Sequence, residues 1–247
     1  MSRTSALLVL LVSIAALVAT ALPGTAAATT VYAATSLRDV FPRIDGGMRF
    51  SFGASNTLQL QVERGAPADV FASASPKEPQ ALFKERRCGR PATFATNVLV
   101  LIVPRGNPAG ITSVYDLRAG PPKRIAMGAP AVPVGGYTRR LLARIGLSRV
   151  LTRNVVSNEA NVGGVVTKVA LGSAVAGFVY ATDGRIASDR VKVIRLPAAA
   201  QPPIRYEFCI VERPGVDRAG AQAFVNKVRS ARGRRLLDAA GFGLPRR

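Results

Sequence analysis

The residues best suited to chemistry in this chain are small neutral donors placed where strands turn into helices. Ser36 follows a β-prone run, Thr29 to Ala34, and Ser55 precedes Leu58, Leu60 and Val62. The Val134-Gly135 turn precedes a helical pattern from Tyr137 to Ile145, and another helix starts near Ala160. A helix N-terminus presents N–H groups without intrahelical partners, together with the positive end of the helix dipole. Anions bind there without a charged side chain. In open α/β sheets these turns gather at the carboxyl edge of the strands, where ligands sit. Each serine taken alone reads as an N-cap. Several in one chain, all following strands, point toward an anion site.

What is missing narrows the chemistry. The chain has no His, which removes Ser-His-Asp and Cys-His catalysis and the commonest metal ligand. No motif places a Lys as base beside Ser36 or Ser55, so neither reads as a nucleophile and the chain reads as a binder, not an enzyme. Cys88 and Cys209 are too far apart in sequence for a metal motif. They are either one disulfide or two buried thiols, and the sequence leaves both open. Asp69 and Asp183 read as structural acids, since a carboxylate facing a bound anion repels it. Glu159 and Glu207 are isolated acids without convergent partners.

The net charge of +20 comes from 34 basic residues against 14 acidic ones, dispersed along the chain rather than gathered in a stripe. Aromatics are 6% of residues and Trp is absent, so platforms for stacking bases are scarce and nucleic acid is not the expected partner. A positive field does raise the capture rate of an anion. Residues 1–28 read as a removable signal peptide. Arg3 precedes an apolar run from Ala6 to Val18, and Ala26-Ala27-Ala28 supplies small residues for cleavage. The expected mature protein is soluble, exported and monomeric, with enough residues for two lobes and a buried core.

The elements that must hold these donors alternate strand and helix. Short helices are expected over 36–45 and after Ser55, and strands over 48–52 and 68–73. The run 98–103, Val-Leu-Val-Leu-Ile-Val closed by Pro104, reads as a central strand buried on both faces. Further strands are expected at 124–127, 153–156, 176–180, 192–196 and 206–211. Helices are expected at 137–145 and 160–171, with one or a pair over 217–240. The fold class is α/β with mainly parallel strands flanked by helices.

Several segments together resemble the periplasmic molybdate-binding proteins of ABC transporters. They are Val31-Tyr32-Ala33-Ala34-Thr35-Ser36-Leu37, Ser51 to Leu58, Gly65-Ala66-Pro67-Ala68-Asp69-Val70-Phe71, Gly128-Ala129-Pro130 with Val132 to Tyr137, and Gly177 to Asp183. The resemblance spans essentially the whole mature chain. It implies a two-lobed type II periplasmic-binding fold, with lobe I at 29–96 plus 209–247 and lobe II at 97–208. The hinge crossings are then near 97–105 and 203–208. It also implies the site: the hydroxyls of Ser36, Ser55 and Tyr180, and backbone N–H groups at Val134 and Val162. The ligand is molybdate, with tungstate as its companion, and the partner is a membrane permease. A metal enters only inside its oxyanion, without direct metal-ion ligands, and no cofactor is implied. The alternative is another oxyanion, such as sulfate or phosphate, on the same fold. A pocket of donors alone rejects protonated oxyanions, because a ligand O–H needs an acceptor. Departures from the family pattern are Thr35, Asn56, a shortened connection from Leu37 to Arg49, and Val134 in place of the common Ala.

Overall fold

A computed structural model describes residues 28–245; the expected signal segment lies outside the described residues except for Ala28. The strands are β1 (Thr30–Ala34), β2 (Arg49–Gly53), β3 (Val70–Ser73), β4 (Ala92–Asn97), β5 (Leu99–Pro104), β6 (Ile125–Gly128), β7 (Val155–Glu159), β8 (Ala176–Tyr180), β9 (Val191–Arg195) and β10 (Ile204–Ile210). They form two five-stranded sheets, ordered β2-β1-β3-β10-β4 and β7-β6-β8-β5-β9. The helices are α1 (Phe41–Ile44), α2 (Ser55–Glu63), α3 (Lys77–Lys84), α4 (Pro133–Arg144), α5 (Val150–Arg153), α6 (Val162–Ala170), α7 (Ala181–Ile186), α8 (Arg218–Arg229) and α9 (Ala231–Ala239).

Each sheet is mixed. In the first, β1 pairs in parallel with β2 and β3, while β10 runs antiparallel to β3 and β4. In the second, β6 is parallel to β7 and β8, and β5 is antiparallel to β8 and β9. The antiparallel strands β4, β5 and β10 are those beside the passages between sheets. The chain leaves the first sheet after Asn97, enters the second at Leu99 and returns at Ile204. The βα units supply the parallel pairs and the loop-to-helix turns.

Burial explains the placement of the main elements. Every residue of β5 from Leu99 to Val103 is buried, as its unbroken apolar run demands. In α6, Val162, Val165 and Val169 are buried on one face. That face packs closely because β8 carries Gly177; a Cβ there meets Val165 Cγ1 at 2.6 Å and Val169 Cγ2 at 2.9 Å. Gly135 in α4 is equally constrained, since a Cβ would collide with the backbone oxygens of Gly128 and Ala129. These two contacts set how closely α6 packs on β8 and how closely α4 approaches the end of β6.

Cys88 and Cys209 form a disulfide with their Cα atoms 5.9 Å apart. This answers the question the sequence left open. Asp69 is structural: it accepts from Thr30 N–H at 2.8 Å and Asp217 N–H at 3.0 Å, and pairs with Arg213 at 2.5 Å. It thereby ties the start of β1 to the chain beyond β10.

Candidate functional site

Ser36, Ser55, Val134, Val162 and Tyr180 line one small cavity, of about 20 Å³, walled by both lobes. The wall lies at the carboxyl ends of strands. Ala34 closes β1, Gly53 closes β2, Ala74 follows β3 and Tyr180 closes β8. None of its lining residues is acidic or basic.

The two serines are buried, and neither is an N-cap. Ser36 sits inside a short 3-10 turn, Thr35–Leu37, whose N-cap position is Ala34. Its Oγ lies 2.8 Å from the hydroxyl of Tyr206. Ser55 is the first residue of α2, with Ala54 at the cap position. Its Oγ accepts from Ala74 N–H at 3.0 Å, which ties the helix start to the end of β3. The cap reading fails at both positions because tertiary partners occupy the oxygens.

The second lobe contributes helix starts. α4 begins at Pro133, ahead of the Gly135-Gly136 pair that the sequence pattern placed before the helix. Proline is well suited to the first helical position, where its missing N–H costs no hydrogen bond. Val134 is therefore in the first turn, where amides have no intrahelical acceptor. Val162 opens α6, and Asn161 caps it by accepting from Gly164 N–H at 3.2 Å. Tyr180 projects from β8 with a buried hydroxyl that has no protein partner. Burial pushes its phenol well above the ordinary tyrosine value, so it stays a proton donor.

Thr35 also lines the cavity, and its buried hydroxyl has no partner either. The sequence marks Thr35 only as a departure from the family pattern; its orientation is a tertiary property. An unpaired buried hydroxyl costs about 1–3 kcal/mol, so the Thr35 and Tyr180 hydroxyls favour a ligand that brings acceptors. A tetrahedral oxyanion supplies acceptors on every side.

A larger groove of about 350 Å³ runs beside the cavity, lined among others by Arg38, Asp39, Asp183 and Arg190. Its mixed charges and greater volume contrast with the small neutral cavity, and it holds none of the five expected site residues. Asp183 stands in the first turn of α7, and one of its carboxyl oxygens is buried without a partner. Burial pushes this carboxyl up to about 7. Among the described residues, no cluster of three or more Cys, Asp or Glu could hold a metal ion. No described helix is long and apolar enough to cross a membrane.

Two α/β lobes with a donor-lined cavity at their seam form the architecture of an extracellular solute-binding protein. The profile of the family "Bacterial extracellular solute-binding protein" matches residues 26–243. The molybdate-binding protein ModA of Mycobacterium tuberculosis is 36% identical, over 87% of this chain and 84% of that protein. ModA of Haemophilus influenzae is 31% identical, over 86% of this chain and 89% of its own length. The solved periplasmic molybdate-binding protein of Azotobacter vinelandii superimposes with a TM-score of 0.78 at 25% identity, covering 88% of this chain and 100% of that one. The chain belongs to the bacterial extracellular solute-binding protein family. These relatives are binding proteins, not enzymes.

Proposed function

We propose that this protein captures molybdate, with tungstate as a second ligand, by closing its lobes on the anion outside the cytoplasmic membrane. It then delivers the anion to the permease of an ABC transporter. The observation that carries this reading is a neutral cavity shared between lobes and lined by hydroxyls and helix starts. Ser36, Ser55 and Tyr180 line it together with the first turns of α2, α4 and α6, and in this reading their hydroxyls and amides hold the anion. Neutral donors can replace the hydration of a dianion, and charge-assisted hydrogen bonds are the strong kind. The likeness to molybdate-binding proteins of M. tuberculosis, H. influenzae and A. vinelandii makes molybdate the first anion to test.

Lobe closure supplies the signal: the bound anion bridges donors on both lobes, and the permease reads the closed shape. Because the ligand stabilises only the folded, closed form, saturating anion should raise the melting temperature. The test is a thermal-shift panel on the mature protein with molybdate, tungstate, sulfate and phosphate. Molybdate and tungstate are expected to give the largest shifts. A shift with sulfate or phosphate and none with molybdate would falsify the assignment.

A further inference from the structure

Tyr206 and Asn97 lie outside the cavity wall, yet they control one of its donors. Tyr206 is in β10, fully buried, with its hydroxyl 2.8 Å from Ser36 Oγ. Asn97 ends β4, and its Nδ2 donates to Thr182 Oγ1 at 2.9 Å and, at a longer 3.5 Å, to the Tyr206 hydroxyl. The amide is held by its other end: Asn97 Oδ1 accepts from Val98 N–H at 2.9 Å.

Donor inventory sets the direction of this chain. An amide nitrogen can only donate, so the Tyr206 oxygen accepts from Asn97. The Tyr206 proton then has Ser36 Oγ as its hydrogen-bond acceptor. Burial pushes the Tyr206 phenol well above its ordinary value, which keeps that proton in place. With the Tyr206 O–H donating to its oxygen, Ser36 has its own proton free to point toward the cavity. The reverse direction would strand the buried Tyr206 proton without a partner, at about 1–3 kcal/mol.

We propose that Tyr206, oriented by Asn97, is a positioning residue that holds Ser36 as a donor toward the cavity and so disfavours ligands carrying an O–H. Ser55 reaches the same state through Ala74 N–H, which occupies its oxygen at 3.0 Å. Ser36 lacks a backbone donor to do this and uses a side-chain relay from the two strands beside the passages between lobes. The inference rests on the oxyanion reading of the cavity.

The test is Tyr206→Phe, which keeps the ring and removes only the hydroxyl. Affinities for molybdate and for hydrogen phosphate are measured by calorimetry above neutral pH. Both anions then carry two negative charges, but only the phosphate carries an O–H. The expected result is a roughly tenfold loss for molybdate, the size of one hydrogen bond to a charged group. The preference for molybdate over hydrogen phosphate should narrow about as much, because Ser36, no longer held as a donor by Tyr206, can rotate to accept the phosphate proton. A general structural defect lowers both affinities alike and leaves the ratio unchanged, so an unchanged ratio in a folded variant overturns the proposal.

Asn97→Asp is the second variant. It replaces the Nδ2 donor to Tyr206 with an acceptor; its added charge repels both dianions about equally and cancels in the ratio, so the expected narrowing of that ratio reports the lost relay. Loss of molybdate binding in Ser36→Ala with no change in Tyr206→Phe overturns the relay while leaving the oxyanion reading intact. If the wild type binds no anion, that reading fails and the relay is judged without ligand. The Tyr206 hydroxyl proton is then followed by NMR, where a slowly exchanging resonance that shifts in Ser36→Ala supports the relay and an unshifted one overturns it.

Discussion

The two walls of the cavity offer the same chemistry by different means. On the first lobe, the wall carries serine hydroxyls engaged by neighbours, Tyr206 for Ser36 and Ala74 N–H for Ser55. On the second lobe, the starts of α4 and α6 offer backbone amides, and Tyr180 adds a hydroxyl with no neighbour at all. The first wall is therefore set by residue identity and the second largely by backbone position. Their buried acids differ too: Asp69 is fully partnered, whereas Asp183 has an oxygen without a partner. A wall built from backbone tolerates side-chain changes but not displacement of its helices.

The largest expected effect breaks the second wall by moving it. Gly135→Ala places a Cβ against the backbone oxygens of Gly128 and Ala129, so α4 must shift. The cost is expected to exceed about 2 kcal/mol in stability, seen as a lower melting temperature together with loss of anion binding. Wild-type binding in this variant would show that the α4 amides are not part of the cage.

The next effects test the first wall. Ser36→Ala and Ser55→Ala should each weaken anion affinity by about 1.5–3 kcal/mol, roughly ten- to a hundredfold, by titration calorimetry. Tyr180→Phe should cost affinity by a similar or smaller amount, with an opposite effect on the empty protein. Removing a buried hydroxyl that has no partner should raise the melting temperature of the ligand-free form. If Tyr180→Phe destabilises that form, the hydroxyl has a partner there and is not poised for ligand.

Asp183→Asn sharpens the contrast between the two buried acids. The Asp183 carboxyl is raised by burial from 3.8 to about 7 in the folded state. The folded protein therefore holds a proton that the unfolded chain releases first. The associated stability is fully present below about pH 3.8 and is lost as pH rises through about 7. The wild type should lose melting temperature across that window relative to Asp183→Asn, and parallel pH profiles would refute the assignment. The smallest effect on binding is expected from Val134→Ala. It should lower stability by about 1–2 kcal/mol through lost packing, while leaving anion affinity within about threefold, because Val134 is expected to act through its N–H.

Much of the fold was legible in the sequence because it is written in local patterns. The apolar run of β5 and the spacing of Val162, Val165 and Val169 follow from periodicity and burial, and the terminal helical stretch, open as one helix or a pair, divides into α8 and α9. The small donors after strands pointed to part of the cavity wall, Ser36, Ser55 and the Val134-Gly135 turn, while Val162 and Tyr180 came from the family resemblance. The roles of the serines were not legible. Both look like caps in sequence, yet Ser36 is engaged by a residue 170 positions away and Ser55 by one 19 away.

The sequence by itself determined an α/β chain without histidine, with neutral donors at its helix starts and a likeness to one family of anion carriers. Only the tertiary structure decided the pairing of Cys88 with Cys209, the start of α4 at Pro133, and the hydroxyls of Thr35 and Tyr180 left without partners. It also decided the chain from Asn97 through Tyr206 to Ser36. The physical reason is that helix periodicity and strand burial act over a few residues and leave a sequence signature. The direction of a buried hydrogen bond depends on which distant groups the fold brings within about 3 Å.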